Sequence, residues 1–191
     1  MCIRDRLYSI WHLHAQPPLF NLYGAGQIKL FFPHHLQALH YTNILLGSLL
    51  SGMMVPILWA FTQNRQLSLG IAILLAFNPS LFLYESYILY TLPVAFLVTL
   101  AVWCLALYKI KQAPLFLYAF VLSINLLILT RSLYHLVILL IAIPLACLAA
   151  KTAWRKVLAI SLLISLLSVG WYSKNYVYFG FFGASSWQGL G

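Results

Sequence analysis

The chain has 191 residues, of which 63% are hydrophobic and only 7% charged, and its mean hydropathy of +0.93 lies outside the range of water-soluble domains. Lys and Arg number 11 against 2 Asp and Glu, for a formal charge of +9, but the cations stand at the ends of apolar runs and do not cluster on one face, which excludes a nucleic-acid-binding surface. One soluble core cannot absorb so much apolar surface, whereas successive spans of about 20 apolar residues can cross a roughly 30 Å hydrocarbon layer; the composition predicts an integral membrane protein.

The first six residues, MCIRDR, hold one of the two acids, Asp5, and no secretory signal follows them. Next comes WHLHAQPPLFNLY, in which His14 and Gln16 precede Pro17-Pro18. A proline pair suits the first turn of a helix, where a missing N–H costs nothing, and it makes a rigid lead-in to the apolar stretch beyond. His14 is a candidate hydrogen-bonding group there. Gly24 and Gly26 in LYGAGQ follow no strand and form no phosphate loop.

From Leu36 six apolar runs succeed one another, at 37–61, 67–83, 92–108, 113–130, 133–150 and 157–172. The expected fold is an all-α, multi-pass transmembrane helical bundle with about six spans. Alternate connections carry Arg65, then Lys109 and Lys111, then Lys151, Arg155 and Lys156, while the other set holds Lys29, Arg131 and Lys174. Leaving out Arg4 and Arg6, six cations against three place the first set in the cytoplasm. The unusual polar segments, including NPSLFLYESYILYTLP, LTRSLYH and GWYSKNYVYFG, then share the outer face.

The second run is interrupted by Asn78-Pro79, leaving about a dozen helical residues from Leu67, on the order of 18 Å. Proline removes a backbone donor and disfavours helix in the residue before it. A broken segment is expected here, with 80–90 returning at membrane depth or along the interface.

Glu85, in LYESY, is the only acid beyond residue 6. A carboxylate beside an apolar layer costs several kcal/mol unless it is paired or hydrated, so it marks a candidate site; the competing reading is a loop Glu held by neighbouring tyrosines. Arg131 stands alone between two apolar runs and suits bidentate phosphate binding, or snorkels at a helix end. Lys174-Asn175 lies among aromatics after the last run, as a ligand-binding pair or as an interfacial anchor.

The six histidines have no acids or cysteines beside them to complete a ligand set, which predicts no metal site. Cys2, Cys104 and Cys147 have no disulfide or metal spacing. No P-loop or nucleophile elbow appears, which excludes a soluble NTPase or hydrolase.

Three segments together resemble the GT-C-type membrane glycosyltransferases, the group of protein mannosyltransferases and aminoarabinose-type transferases. HAQPPLFNLYGAGQIKLFFP is similar to that group's polar-Pro-Pro-Leu-aromatic stretch. FNPSLFLYESYILYTLPVAFLVTLAVW is similar to its broken central segment. GWYSKNYVYFGFFGASS is similar to its Trp-x-x-Arg-Asn-Tyr-x-x-Phe-Gly pattern, with Lys174 in place of Arg. Their order agrees with the family's, and they cover roughly residues 7–191.

The resemblance implies an inverting glycosyltransferase that moves a sugar from a polyprenyl-phosphate carrier to a glycan, lipid or protein acceptor on the non-cytoplasmic face, in the bacterial inner membrane, without a cofactor. It implies substrate-binding roles for His14, Gln16, Glu85, Arg131, Lys174 and Asn175. Relatives place the catalytic Asp in an outer loop after a first span, and nothing before WHLHAQPP supplies either; no catalytic base is assigned, and Glu85 is given an orienting role. Some relatives carry Lys where Gln16 stands, which shifts the expected phosphate contact to Arg131 and Lys174.

Two other classes are weighed against this one. A multi-pass transporter or flippase subunit also suits broken helices and an isolated acid, although residues 37–108 and 113–172 show no matching interruptions. A non-catalytic scaffold leaves the one-sided polar segments unexplained. Finally, MCIRDR resembles the translation of a transposon mosaic-end sequencing adaptor. On that reading residues 1–6 are an artefact, 7–191 are a partial transmembrane domain, and Asp5 has no role.

Overall fold

The computed structural model describes residues 12, 17–86 and 90–186. Helices dominate these residues, and none of them is in a strand.

Helix α1 spans Pro18–Phe31 and begins at the proline pair, with Pro17 as N-cap in an extended conformation and Pro18 in the first turn. A corner at Phe32-Pro33 leads to α2, His35–Thr62, whose 28 residues span about 42 Å at 1.5 Å per residue. Gln63 ends α2 in the left-handed conformation, φ 55°, and its N–H returns to the Trp59 carbonyl. Asn64 then caps α3, Arg65–Ala76, accepting from the N–H groups of Gln66 and Leu67. Asn78-Pro79 stops α3, and α4, Pro79–Ser86, leaves at 49°. The break read from the sequence is therefore present.

Helices α5, Thr91–Lys111, and α6, Leu115–Thr130, follow. A 3-10 turn, Leu136–Ile138, enters α7, Leu139–Ala150, and a second, Lys151–Ala153, connects it to α8, Trp154–Phe179. Gly180 closes α8 at φ 74°, a conformation that glycine adopts without the Cβ clash of other residues.

Helix α5 packs between α2 and α6, and α6 packs on α7 and α8, while α3 flanks α2 and α1 lies across α2 and α6. The main core gathers Ala101, Cys104, Leu117, Val121, Ile124 and Ile128 from α5 and α6 with Ala142, Ala146 and Val157 from α7 and α8. Along α8 the polarity is the reverse of a water-soluble helix. Ser161 is 0% exposed and Ser165 and Ser168 are buried, while Leu163 is 66% exposed and Leu162, Leu166 and Leu167 also face outward. In water the hydrophobic effect would drive these leucines inward; in hydrocarbon, small and hydroxyl residues form the helix contacts and the leucines meet lipid.

Three stretches among the described residues are long and apolar enough to cross a membrane, His35–Thr62, Thr91–Lys111 and Leu136–Phe179, and the bent pair α3 with α4 makes a fourth if counted as one span. Length and composition therefore support three to four spans, and do not confirm the expected six. The reasons are local: Pro79 cuts α3 short, and α6 has 16 residues, about 24 Å. The 44-residue stretch from Leu136 doubles back, because α7 packs on α8 and Lys151 turns the chain at φ 48°.

The two ends of the bundle differ. At one end Lys109 Nζ donates to the Ala60 carbonyl at 2.8 Å and the Tyr108 hydroxyl to that of Ala149 at 3.1 Å. The start of α2, Tyr90, Arg131 and the final turns of α8 share the other.

Inside, Asn125 donates from Nδ2 to the Val121 carbonyl at 2.9 Å, and its Oδ1 accepts from the Ser168 hydroxyl at 2.8 Å. This bond joins α6 to α8. Ser168→Ala is expected to destabilise the bundle by about 0.6 kcal/mol, and at most about 1.7 kcal/mol, read as unfolding in mixed micelles; Ser161→Leu, which forces a large side chain into the same seam, is expected to cost more.

Candidate functional site

Glu85 is the only acid among the described residues. It rides on α4, and its carboxylate rests on α2 at Gly47, where an added Cβ would collide with Oε1 and Cδ of Glu85. Asn43, one turn earlier on α2 and 3% exposed, donates from Nδ2 to the Glu85 backbone carbonyl at a long 3.5 Å and accepts from the Tyr23 hydroxyl at 3.2 Å. His40 interacts electrostatically with Glu85. Residues 40, 43 and 47 follow the i, i+3, i+7 rule that puts side chains on one helix face.

Arg131 ends α6 in an extended conformation. Its guanidinium carbon lies 4.7 Å from the centre of the Tyr90 ring, within cation–π range. Phe20 meets Tyr90 edge-on at 6.2 Å and lies near Tyr23 at 6.3 Å. An unbroken series of contacts thus runs Arg131, Tyr90, Phe20, Tyr23, Asn43, Glu85, with α1 as its middle. Stacking uses the face of the guanidinium; its edge N–H groups are those that grip a phosphate.

Lys174 and Asn175 form a second group. They do not follow the last helix, as the sequence reading has them, but lie inside α8, which continues to Phe179. Lys174 is 7% exposed, with Nζ 3.8 Å above the Trp171 ring and 5.4 Å from that of Phe179. Asn175 is fully buried and donates to the Gly183 carbonyl at 2.7 Å, folding the chain after Gly180 back along the helix. Tyr172 is held edge-on between His135 and Phe182, at 5.4 and 5.3 Å. Asn175 Oδ1 and Ser185 Oγ are buried without a hydrogen-bond partner among the described residues.

Among the sequence-derived candidates, Glu85 and Arg131 join through α1, Lys174 and Asn175 occupy the same end on α8, and His14 and Gln16 lie outside the described residues. The histidines meet rings: His35 stacks on Phe32 at 6.1 Å and His12 lies 6.3 Å from Tyr178. Tyr23, Asn43, Gly47 and Tyr90 were not legible as candidates. The one available signal was the spacing of His40, Asn43 and Gly47, a polar and small stripe in an otherwise apolar span.

No protein-family model, curated protein or solved structure matches this chain.

Asn175→Ala removes the bond to Gly183, a buried interaction of about 1 kcal/mol, more if the carbonyl is left bare. Hydrogen exchange at residues 181–186 is expected to speed up severalfold while α6 is unchanged; equal protection in both proteins would show that the amide does not hold this segment.

Proposed function

We propose that this chain carries substrate-binding machinery of a GT-C-type membrane glycosyltransferase, moving a sugar from a polyprenyl-phosphate donor to a glycan, lipid or protein acceptor at the non-cytoplasmic face. The observation that carries this reading is the series of contacts that links Arg131 through Tyr90, Phe20, Tyr23 and Asn43 to Glu85, the one described acid, beside a helix break. The ordered motifs around them are the ones that resemble the family.

In this reaction the acceptor oxygen bonds to the anomeric carbon as the carbon–oxygen bond to the lipid phosphate breaks. The electron pair leaves on the phosphate, and the hydroxyl proton passes to a base. Arg131 and Lys174 stabilise the phosphate charge as it develops, and cations preset in a low-dielectric site do this without reorganising. Glu85 orients sugar hydroxyls by hydrogen bonds, with His14 and Gln16, just before Pro17-Pro18 in the sequence, as further polar contacts, while Asn175 holds the segment after Gly180 in place. Glu85 is assigned no proton from the acceptor.

In this proposal α3 with α4, α6 and α7 also cross, the short ones through locally thinned bilayer, which gives six crossings. The cation distribution orients the Lys109 end to the cytoplasm. The setting is a bacterial inner membrane with the site outward.

A transporter or flippase subunit is the second reading, favoured by the 49° break between α3 and α4, since interrupted helices also build substrate pathways. In the full-length protein in proteoliposomes, Glu85→Gln and Arg131→Ala are each expected to cut sugar transfer from a polyprenyl-phosphate donor by on the order of 100-fold with expression unchanged. Full transfer activity in both would remove the site; substrate flux without transfer would favour the second reading. For orientation, an impermeant maleimide is expected to label Tyr178→Cys in intact cells and Gln112→Cys only after permeabilisation.

A further inference from the structure

Helix α4 is a weakly held element carrying an important residue. It has eight residues, none of them buried, and the 49° break separates it from α3, so neither burial nor a continuous helix fixes its direction. What fixes Glu85 in space must therefore be docking onto the neighbours, chiefly α2. At the contact α2 offers two features on one face: Gly47, whose missing side chain leaves the space that the Glu85 carboxylate fills, and Asn43, whose amide reaches the Glu85 carbonyl while its oxygen is held by Tyr23 of α1.

We propose that Asn43 and Gly47 form a seat on α2 that docks α4 and fixes the Glu85 carboxylate, making Asn43 a positioning residue that couples α1 to the broken segment. Glycine at 47 leaves the carboxylate in this place, because an added Cβ would meet Oε1, Cδ and Cγ of Glu85 and displace them. The asparagine is required because one amide supplies both a donor to α4 and an acceptor to α1. An aliphatic side chain of similar size does neither. The seat's consequence for sugar transfer rests on the function proposed above; the docking itself does not.

The two are separable by hydrogen exchange of the full-length protein in nanodiscs, which needs no substrate. Gly47→Ala favours the helical state of α2 by up to about 1 kcal/mol, so a merely structural glycine would leave α4 unchanged or better protected. The seat predicts the opposite: exchange of residues 79–86 rises by about tenfold while α5 keeps its protection. In a Glu85→Ala background the same Gly47→Ala change is expected to have less than about twofold effect, since the methyl then has room. Asn43→Leu, which leaves 47 open, is expected to loosen α4 as well, and Tyr23→Phe to do so more weakly. Unchanged α4 exchange in both Gly47→Ala and Asn43→Leu, or an equal rise from Gly47→Ala with and without the Glu85 carboxylate, overturns the seat. If the wild-type protein transfers no sugar, the functional reading fails and the exchange result still stands.

Discussion

An apolar exterior leaves polar side chains nowhere to go but inward or back onto their own helix, and most of this structure follows from how they do so. Many hydroxyls take the local route, although Ser168 reaches Asn125 of α6, Thr62 bonds Ser68 of α3 and Thr42 accepts from Gln27 of α1. Thr42, Ser48, Thr62, Ser123, Thr130 and Ser165 each donate to the carbonyl four residues earlier, which satisfies the donor within one turn and makes no bond between helices. Asparagine has a donor and an acceptor on one rigid group, so it can satisfy its own helix and still reach another. Asn125 does this between α6 and α8, Asn43 joins α1 to α4, and Asn175 folds the chain after α8 back on itself. Three amides thus supply much of the specificity that a water-soluble protein would draw from ion pairs.

The cations meet aromatic rings at both ends. At the Lys109 end, Lys109, Lys111 and Arg155 lie over Phe61, Phe116 and Trp154, and Lys109 also caps the last turn of α2 through Ala60, where the exposed carbonyls favour positive charge. Arg131 and Lys174, at the other end, lie over Tyr90 and Trp171 in the same manner. Ring stacking by itself therefore does not distinguish a ligand-binding cation from an anchor. What sets Arg131 apart is its company: its ring partner leads through α1 to the one described carboxylate.

Composition and punctuation made the helices legible. Apolar runs read at 37–61, 92–108 and 113–130 correspond to α2, α5 and α6 within a few residues, and Asn78-Pro79 marked the break, because proline and capping residues act locally. The number of crossings was less legible, since it depends on whether 12- and 16-residue helices span a bilayer that a sequence does not contain. The end of α8 was misread for a related reason. Trp-Tyr-Ser-Lys-Asn-Tyr looks like an interfacial loop by polarity, but it holds no proline, and Tyr172 and Asn175 find buried partners that only the fold supplies. The site was half legible. Rare charges stood out in an apolar background, whereas Asn43, Gly47 and Tyr23 gain meaning only when α1 is laid across α2.

That placement also bears on what kind of carboxylate Glu85 is. A general base needs an oxygen aimed at the acceptor and room for the proton to arrive, and in Glu85 one side of the carboxylate is taken up by the backbone of α2 at Gly47. The remaining lone pairs suit hydrogen bonds from sugar hydroxyls, which require a fixed acceptor more than a mobile one. Fixity is what a glycine notch and a buried amide provide, and it is obtained on a short helix set off from α3 by a 49° break. Within the proposed reaction, the same geometry that makes Glu85 a poor base makes it a good orienting group.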